Sequence, residues 1–219
     1  SVADSLPFSL RIMANIKNKR NEYMLNYKDI KIKKEYEYSA KRRVGDEAVV
    51  VYTGGTTGKP KGVVLTNDNF NNMSHQYGYS NFGVDKGQKF LDIITPTFAY
   101  GICNSLHLPL TLGIEVVIIP VFDPKKFGHY LNKYKPNHTL GVPKYWEELM
   151  EDDYLSNKKL SYLFSAGCGG APMNEEKEEE INAFLEEHNS MSKVAKGYGM
   201  TELSSAVVVC NKSANKLGS

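Results

Sequence analysis

Residues 52–62 read Tyr-Thr-Gly-Gly-Thr-Thr-Gly-Lys-Pro-Lys-Gly. The glycines Gly54, Gly55, Gly58 and Gly62 open backbone conformations that other residues avoid, and they let the main chain lie against a ligand. Thr53, Thr56 and Thr57 add hydroxyls, and Lys59 and Lys61 add positive charge. Successive N–H groups, hydroxyls and ammoniums in one loop make an anion nest suited to polyphosphate. Hydrogen bonds to charged groups contribute about 1.5–3 kcal/mol each, so several converging donors could hold a triphosphate tail. The bland alternative is a glycine hairpin, which needs far less Gly and Thr than this and leaves the two lysines repelling each other. A Walker A loop does not fit, because Gly58-Lys59 is followed by Pro60 and the Ser/Thr at the helix start is missing.

The elements that must hold this loop follow from the apolar pattern. Ala48–Tyr52 and Val63–Leu65 are short apolar, β-branched runs and predict strands on either side of it. Asn67–Tyr79 places Phe70, Met73 and Tyr77 on one helical face. Strands are expected at 90–94, 114–119 (the clearest), 138–142, 162–166 and 193–196, the last of the chain. Between them, Asp123-Pro124 starts a helix with Phe127, Tyr130, Leu131 and Tyr134 on its inner face. A short helix carries Trp146, Leu149 and Met150, and Asn174 caps another whose Ile181, Phe184 and Leu185 point inward. The acidic run 175–180 reads as that helix's solvated face, its early acids suiting the positive helix end. Repeated strand–helix–strand units predict an α/β fold, a mostly parallel sheet with helices on both faces. Residues 1–46, with a Lys-, Tyr- and Glu-rich tract, are expected to be a connector and partial leading subdomain, and 47–219 the binding subdomain.

The stretch Tyr52–Gly62 resembles the phosphate-loop signature of the adenylate-forming enzymes: acyl-CoA synthetases, luciferases and peptide-synthetase adenylation domains. Two more motifs follow in that family's order. Gly167-Cys168-Gly169-Gly170-Ala171-Pro172 is similar to the turn that lies along adenine, and Gly197-Tyr198-Gly199-Met200-Thr201-Glu202 to the YGxTE motif. The resemblance implies that the 53–62 loop binds the ATP phosphates through Thr53, Gly54, Gly55, Thr56, Thr57, Gly58, Lys59 and Lys61, with Thr56, Thr57, Lys59 and Lys61 cradling the β- and γ-phosphates, that Gly169, Gly170 and Ala171 flank the adenine, and that Tyr198 and Gly199 border it with Tyr198 stacked on the base. It implies that Thr201 bonds the α-phosphate and the substrate carboxylate, and that Glu202 holds Mg²⁺. The implied reaction joins a small-molecule carboxylic acid to AMP from ATP, then passes the acyl group to a thiol, coenzyme A or a carrier protein.

Phe98-Ala99-Tyr100 stands where this family borders its acyl pocket. Ala99 cannot pair with an ammonium, which disfavours an α-amino acid, and core packing is the other reading of Phe98 and Tyr100. No match is found for the family's ribose-binding Asp, hinge or lid lysine, so the chain is expected to be the central part of a longer ligase, with the lid domain absent. A stand-alone nucleotide-binding module is the rival from another class. Lys and Arg number 27 against 25 Asp and Glu, which gives no reason to expect nucleic acid. No apolar run approaches the roughly 18 residues of a membrane span. Three scattered cysteines and five histidines make no disulfide framework or zinc spacing, and the expected compartment is reducing and cytoplasmic.

Overall fold

The computed structural model describes residues 43–53, 59–79 and 83–210. Glu47–Thr53 (β1) and Lys61–Thr66 (β2) form an antiparallel hairpin with Val51 opposite Val63 and Thr53 opposite Lys61. Asn67–Tyr79 (α1) follows directly, with the bounds its apolar periodicity predicts. Its Phe70 and Met73 meet Val51 and Leu65 of the hairpin in a small apolar core.

The remaining strands build one six-stranded sheet. They are Lys89–Asp92 (β3), Glu115–Ile118 (β4), His138–Gly141 (β5), Ser165–Gly169 (β6), Val194–Met200 (β7) and Ser205–Val209 (β8). The order is β4-β3-β5-β6-β7-β8, parallel except for β8, which runs antiparallel to β7. Residues 100–111 (α2) lie against β3 and β8. The first part, Tyr100–His107, is wound as a π-helix, so that Leu108 N–H donates to the Cys103 carbonyl five residues back. Phe127–Tyr134 (α3), Pro143–Met150 (α4) and Glu175–Glu187 (α5) cover the other face. There Phe127, Leu131, Trp146, Leu149, Ile181 and Leu185 bury themselves with Leu91, Ala166, Cys168 and Val194 of the strands. Asp123 and Asn174 cap as their sequence positions predict, accepting from Lys125 N–H and Lys177 N–H.

Four expectations are corrected. The strand expected at 162–166 is Ser165–Gly169, and the one expected at 193–196 runs on to Met200. Both strands are rich in glycine and alanine, so pairing with their neighbours defines them and apolar periodicity does not. The chain does not end its sheet there, since β8 adds an antiparallel edge. The acidic run is not wholly solvated either: Glu178 is fully buried, and the Lys196 ammonium of β7 donates to its Oε2 at 2.6 Å.

That buried pair joins α5 to β7 just before the Gly197–Glu202 motif. Removing one partner of a buried pair costs about 3–5 kcal/mol, because the other keeps an uncompensated charge. We expect Lys196→Met to lose stability on that scale, and Lys196→Met with Glu178→Leu to recover most of it, as read from urea midpoints.

Candidate nucleotide and acyl site

The β1–β2 hairpin carries the glycine- and lysine-rich loop from strand to strand. A phosphate loop of the Walker type runs from strand to helix, so that geometry is excluded. Thr53 is half-buried at the end of β1, and Lys59 and Lys61 are exposed. Gly54, Gly55, Thr56, Thr57 and Gly58 lie outside the described residues.

The other two motifs leave the carboxyl ends of neighbouring parallel strands. Gly169 pairs with Gly197, so Gly170 and Tyr198 follow one position on in adjacent strands. Gly170 takes φ +81°, a conformation that L side chains rarely adopt and that turns the chain away from the sheet. Tyr198 is 66% exposed, with its ring free to take a planar ligand. A bulge between Tyr198 and Gly199 follows, and β7 passes so near β8 that a Cβ on Gly199 would stand 1.7 Å from the Ser205 carbonyl oxygen. The chain then reverses through a 3₁₀ turn, Thr201–Leu203, closed by Ser204 and Ser205 at φ 60° and 85°. Both are left-handed conformations that cost a non-glycine residue free energy. This turn packs against β2, with Cα atoms within 8 Å. It brings Thr201 and Glu202 to the strand that begins with Lys61.

Behind these motifs a cavity of about 270 Å³ runs between the sheet and α2. Gly197, Tyr198 and Gly199 from the motif end of β7 line it, with Leu108, Leu112 and Leu140, and with Asp85, His138 and Ser165 from the approach to β3 and the starts of β5 and β6. Of the acyl-pocket candidates only Tyr100 lines it. Its hydroxyl donates to the Gly141 carbonyl at 3.1 Å, and its ring lies beneath Gly170. Burial raises its pKa far above the ordinary tyrosine value, so it remains a phenol. Phe98 is 58% exposed, which removes its core-packing reading, and Ala99 is buried in the hairpin core; neither lines the cavity. Sequence reasoning missed Tyr77, Asp85, His138 and Ser165, which carry no motif. Cys168 is no nucleophile: burial first, then the charges of Glu178 and Glu147, push its thiol up to about 12. Among the described residues, no group of three or more His, Cys, Asp or Glu could hold a metal ion. No helix of these residues is long and apolar enough to cross a membrane.

The family model described as AMP-binding enzyme matches residues 8–219, and the chain belongs to that family. It is 32% identical over 160 residues to a long-chain-fatty-acid–CoA ligase of Bacillus subtilis, covering 73% of this chain and 28% of the relative. It is 30% identical over 176 residues to a luciferin 4-monooxygenase of Nipponoluciola cruciata, covering 78% and 31%. The chain thus spans less than a third of these relatives' length. Among solved structures, ATP-bound MatB from Rhodopseudomonas palustris superposes with a TM-score of 0.70 at 21% identity, over 84% of this chain and 35% of that one. O-succinylbenzoate coenzyme A synthetase from Bacillus subtilis, in complex with ATP and magnesium, gives 0.64 at 25% identity, over 78% and 34%.

Two buried groups on neighbouring strands, Asp92 at the end of β3 and His138 at the start of β5, oppose each other in pH. Burial lowers His138 from 6.5 to about 4 and raises Asp92 from 3.8 to about 6, the latter only partly offset by its bond from Ile94 N–H. Between about pH 4 and 6 the unfolded chain binds the extra proton at His138, whereas the folded chain binds it at Asp92. The first makes stability rise with pH and the second makes it fall, so they offset. We expect Asp92→Asn to unmask a loss of stability as pH falls from 6.5 towards 4. His138→Phe should unmask the opposite, a loss as pH rises from 4 to 6. Denaturant midpoints of each variant minus those of the parent, across that range, check both signs.

Proposed function

We propose that these residues form the nucleotide- and acyl-binding part of an AMP-forming acid–thiol ligase. The observation that carries this reading is the convergence of the motifs: Gly169 beside Gly197, and the Thr201–Glu202 turn against the strand that begins with Lys61. In this reading ATP lies across the carboxyl ends of β6 and β7, with adenine between Tyr198 and the Gly169-Gly170-Ala171 turn. Open α/β sheets bind ligands at that edge. The phosphates reach the hairpin loop, where Thr53, Gly54, Gly55, Thr56, Thr57, Gly58, Lys59 and Lys61 offer N–H, hydroxyl and ammonium donors. Glu202, exposed beside β2, suits Mg²⁺, which takes carboxylate and phosphate oxygens. When bound, that ion neutralises charge on the departing pyrophosphate.

The substrate carboxylate attacks the α-phosphorus in line, the bond to the β-phosphate oxygen breaks, and acyl-AMP and pyrophosphate form. Thr201 donates to the α-phosphate and aligns the attacking carboxylate, and Lys61 stabilises the charge that develops on the leaving group. A thiol then attacks the acyl carbon and AMP leaves. Coenzyme A is the proposed acceptor, supported by the names of relatives such as the Bacillus subtilis ligase. The cavity behind the motifs is the proposed acyl site, and Tyr100 its wall.

Carboxylate-dependent exchange of labelled pyrophosphate into ATP tests the reaction in the longest form of the protein. Thr201→Ala and Lys61→Ala should each lower exchange by about 10²-fold, the usual size of losing one oriented donor to a developing charge. Exchange that ignores both substitutions, or that needs no carboxylate, overturns the proposal.

The 219-residue chain carries no match to the family's lid lysine. By itself it should bind ATP yet produce no thioester over many turnovers. A thiol-release assay with acid, ATP, Mg²⁺ and coenzyme A checks this, and steady thioester production would show that these residues suffice.

A further inference from the structure

The far end of the cavity is polar in a way that apolar burial does not call for. Asp85 N–H donates to Gln88 Oε1 at 2.8 Å. A backbone N–H can only donate, so the Gln88 atom it meets is the amide oxygen. His138 Nε2 lies 2.6 Å from that same oxygen. An oxygen that already accepts from Asp85 fixes Nε2 as a donor, and hence as the protonated nitrogen. His138 is 3% exposed, and burial keeps its ring neutral at pH 7. Nδ1 therefore carries no proton and is an acceptor.

Ser165 pairs with His138 across β5 and β6, and both line the cavity. Neither Nδ1 nor Ser165 Oγ has a protein hydrogen-bond partner among the described residues. An acceptor and a hydroxyl thus stand on adjacent strands in the cavity lining, which Asp85 shares. Between them and the motifs the Leu140 side chain packs over Gly167, where a Cβ would lie 2.1 Å from Leu140 Cδ2, and both residues line the cavity.

We propose that this pair recognises a hydroxyl at the tail of the acid, and that the substrate is an ω-hydroxy acid of at least about ten carbons. The tail O–H donates to His138 Nδ1, and its oxygen accepts from the Ser165 hydroxyl. The sheet sets the shortest such chain. Ser165 lies four residues before Gly169, the last residue of β6 at the motif edge, about 13 Å at ~3.3 Å per residue. An extended chain advances about 1.1–1.2 Å per bond, so at least about eleven bonds separate a carboxyl group held beyond that edge from the hydroxyl. The inference rests on the cavity being the acyl site.

Calorimetric titration of the protein with 10-hydroxydecanoate and with decanoate reads the effect without turnover. The hydroxy acid should bind about tenfold more tightly, the scale of one or two neutral hydrogen bonds. In Ser165→Ala and in His138→Phe the ratio of the two affinities should fall to within about twofold of one. Ser165→Ala is the milder change and decides the matter if His138→Phe does not fold. Equal affinities in the parent, or a preference that survives Ser165→Ala, overturn the proposal. 4-Hydroxycinnamate and cinnamate are too short to reach the pair and should bind alike; a hydroxyl preference there and not in the long acids overturns the length assignment. If none of the four acids binds, the acyl-site reading itself fails and takes this inference with it.

Discussion

The backbone contact between β6 and β7 is the constraint on which the site depends. A Cβ on Gly169 would stand 2.9 Å from the Gly197 carbonyl oxygen, closer than side-chain carbons come to backbone. Glycine at these positions lets two strands carrying two different motifs leave the sheet together. The same small residues leave one face of β6 and β7 almost bare, and that bare face is the cavity floor. The opposite face is filled. Ile181 and Leu185 of α5 are fully buried there, and the Trp146 indole N–H donates to the Gly167 carbonyl at 3.2 Å. One side of the sheet thus supplies stability and the other supplies space. Because the strands between them are shared, the packed side fixes the shape of the open one.

The helices were legible where a face repeats. Phe70 and Met73 identify α1, and Phe127 and Leu131 identify α3, because burial on one side of a helix imposes a local period. The glycine-rich strands leave no such mark. The apolar residues at 162–164 drew the predicted strand N-terminal of its true place, but Leu163 fills the core from the segment that leads into β6. β8 did carry a signal in Val207-Val208-Val209, masked by its position just beyond the motif. Glu178 was illegible for a different reason. Its neighbours in sequence are acids on a wet helix face, and its partner Lys196 comes from the next strand. A charge pattern is local, whereas a buried pair is made by topology.

The site divides the same way. The end proposed to hold the nucleotide was readable because its glycines, threonines and lysines follow one another in short runs of the chain. Its far end was not. Asp85, Gln88, His138 and Ser165 come from the approach to β3 and the starts of β5 and β6. They meet only because β3, β5 and β6 are neighbours in the sheet. No spacing along the chain announces that order.

Tyr100 belongs to both ends. Its phenol is fixed on the Gly141 carbonyl of β5, its ring supports Gly170, and its backbone begins α2, the roof of the cavity. A movement of α2 that widens the cavity must therefore shift the turn assigned to adenine, or else break the Tyr100–Gly141 bond. Breaking it would leave a buried carbonyl and a buried hydroxyl unpaired, at about 1–3 kcal/mol for each such group. The cavity is thus held near one width by the element that supports the Gly170 turn. In the proposed reading, differences in substrate fit then come from the far end, where the side chains are not tied to that turn.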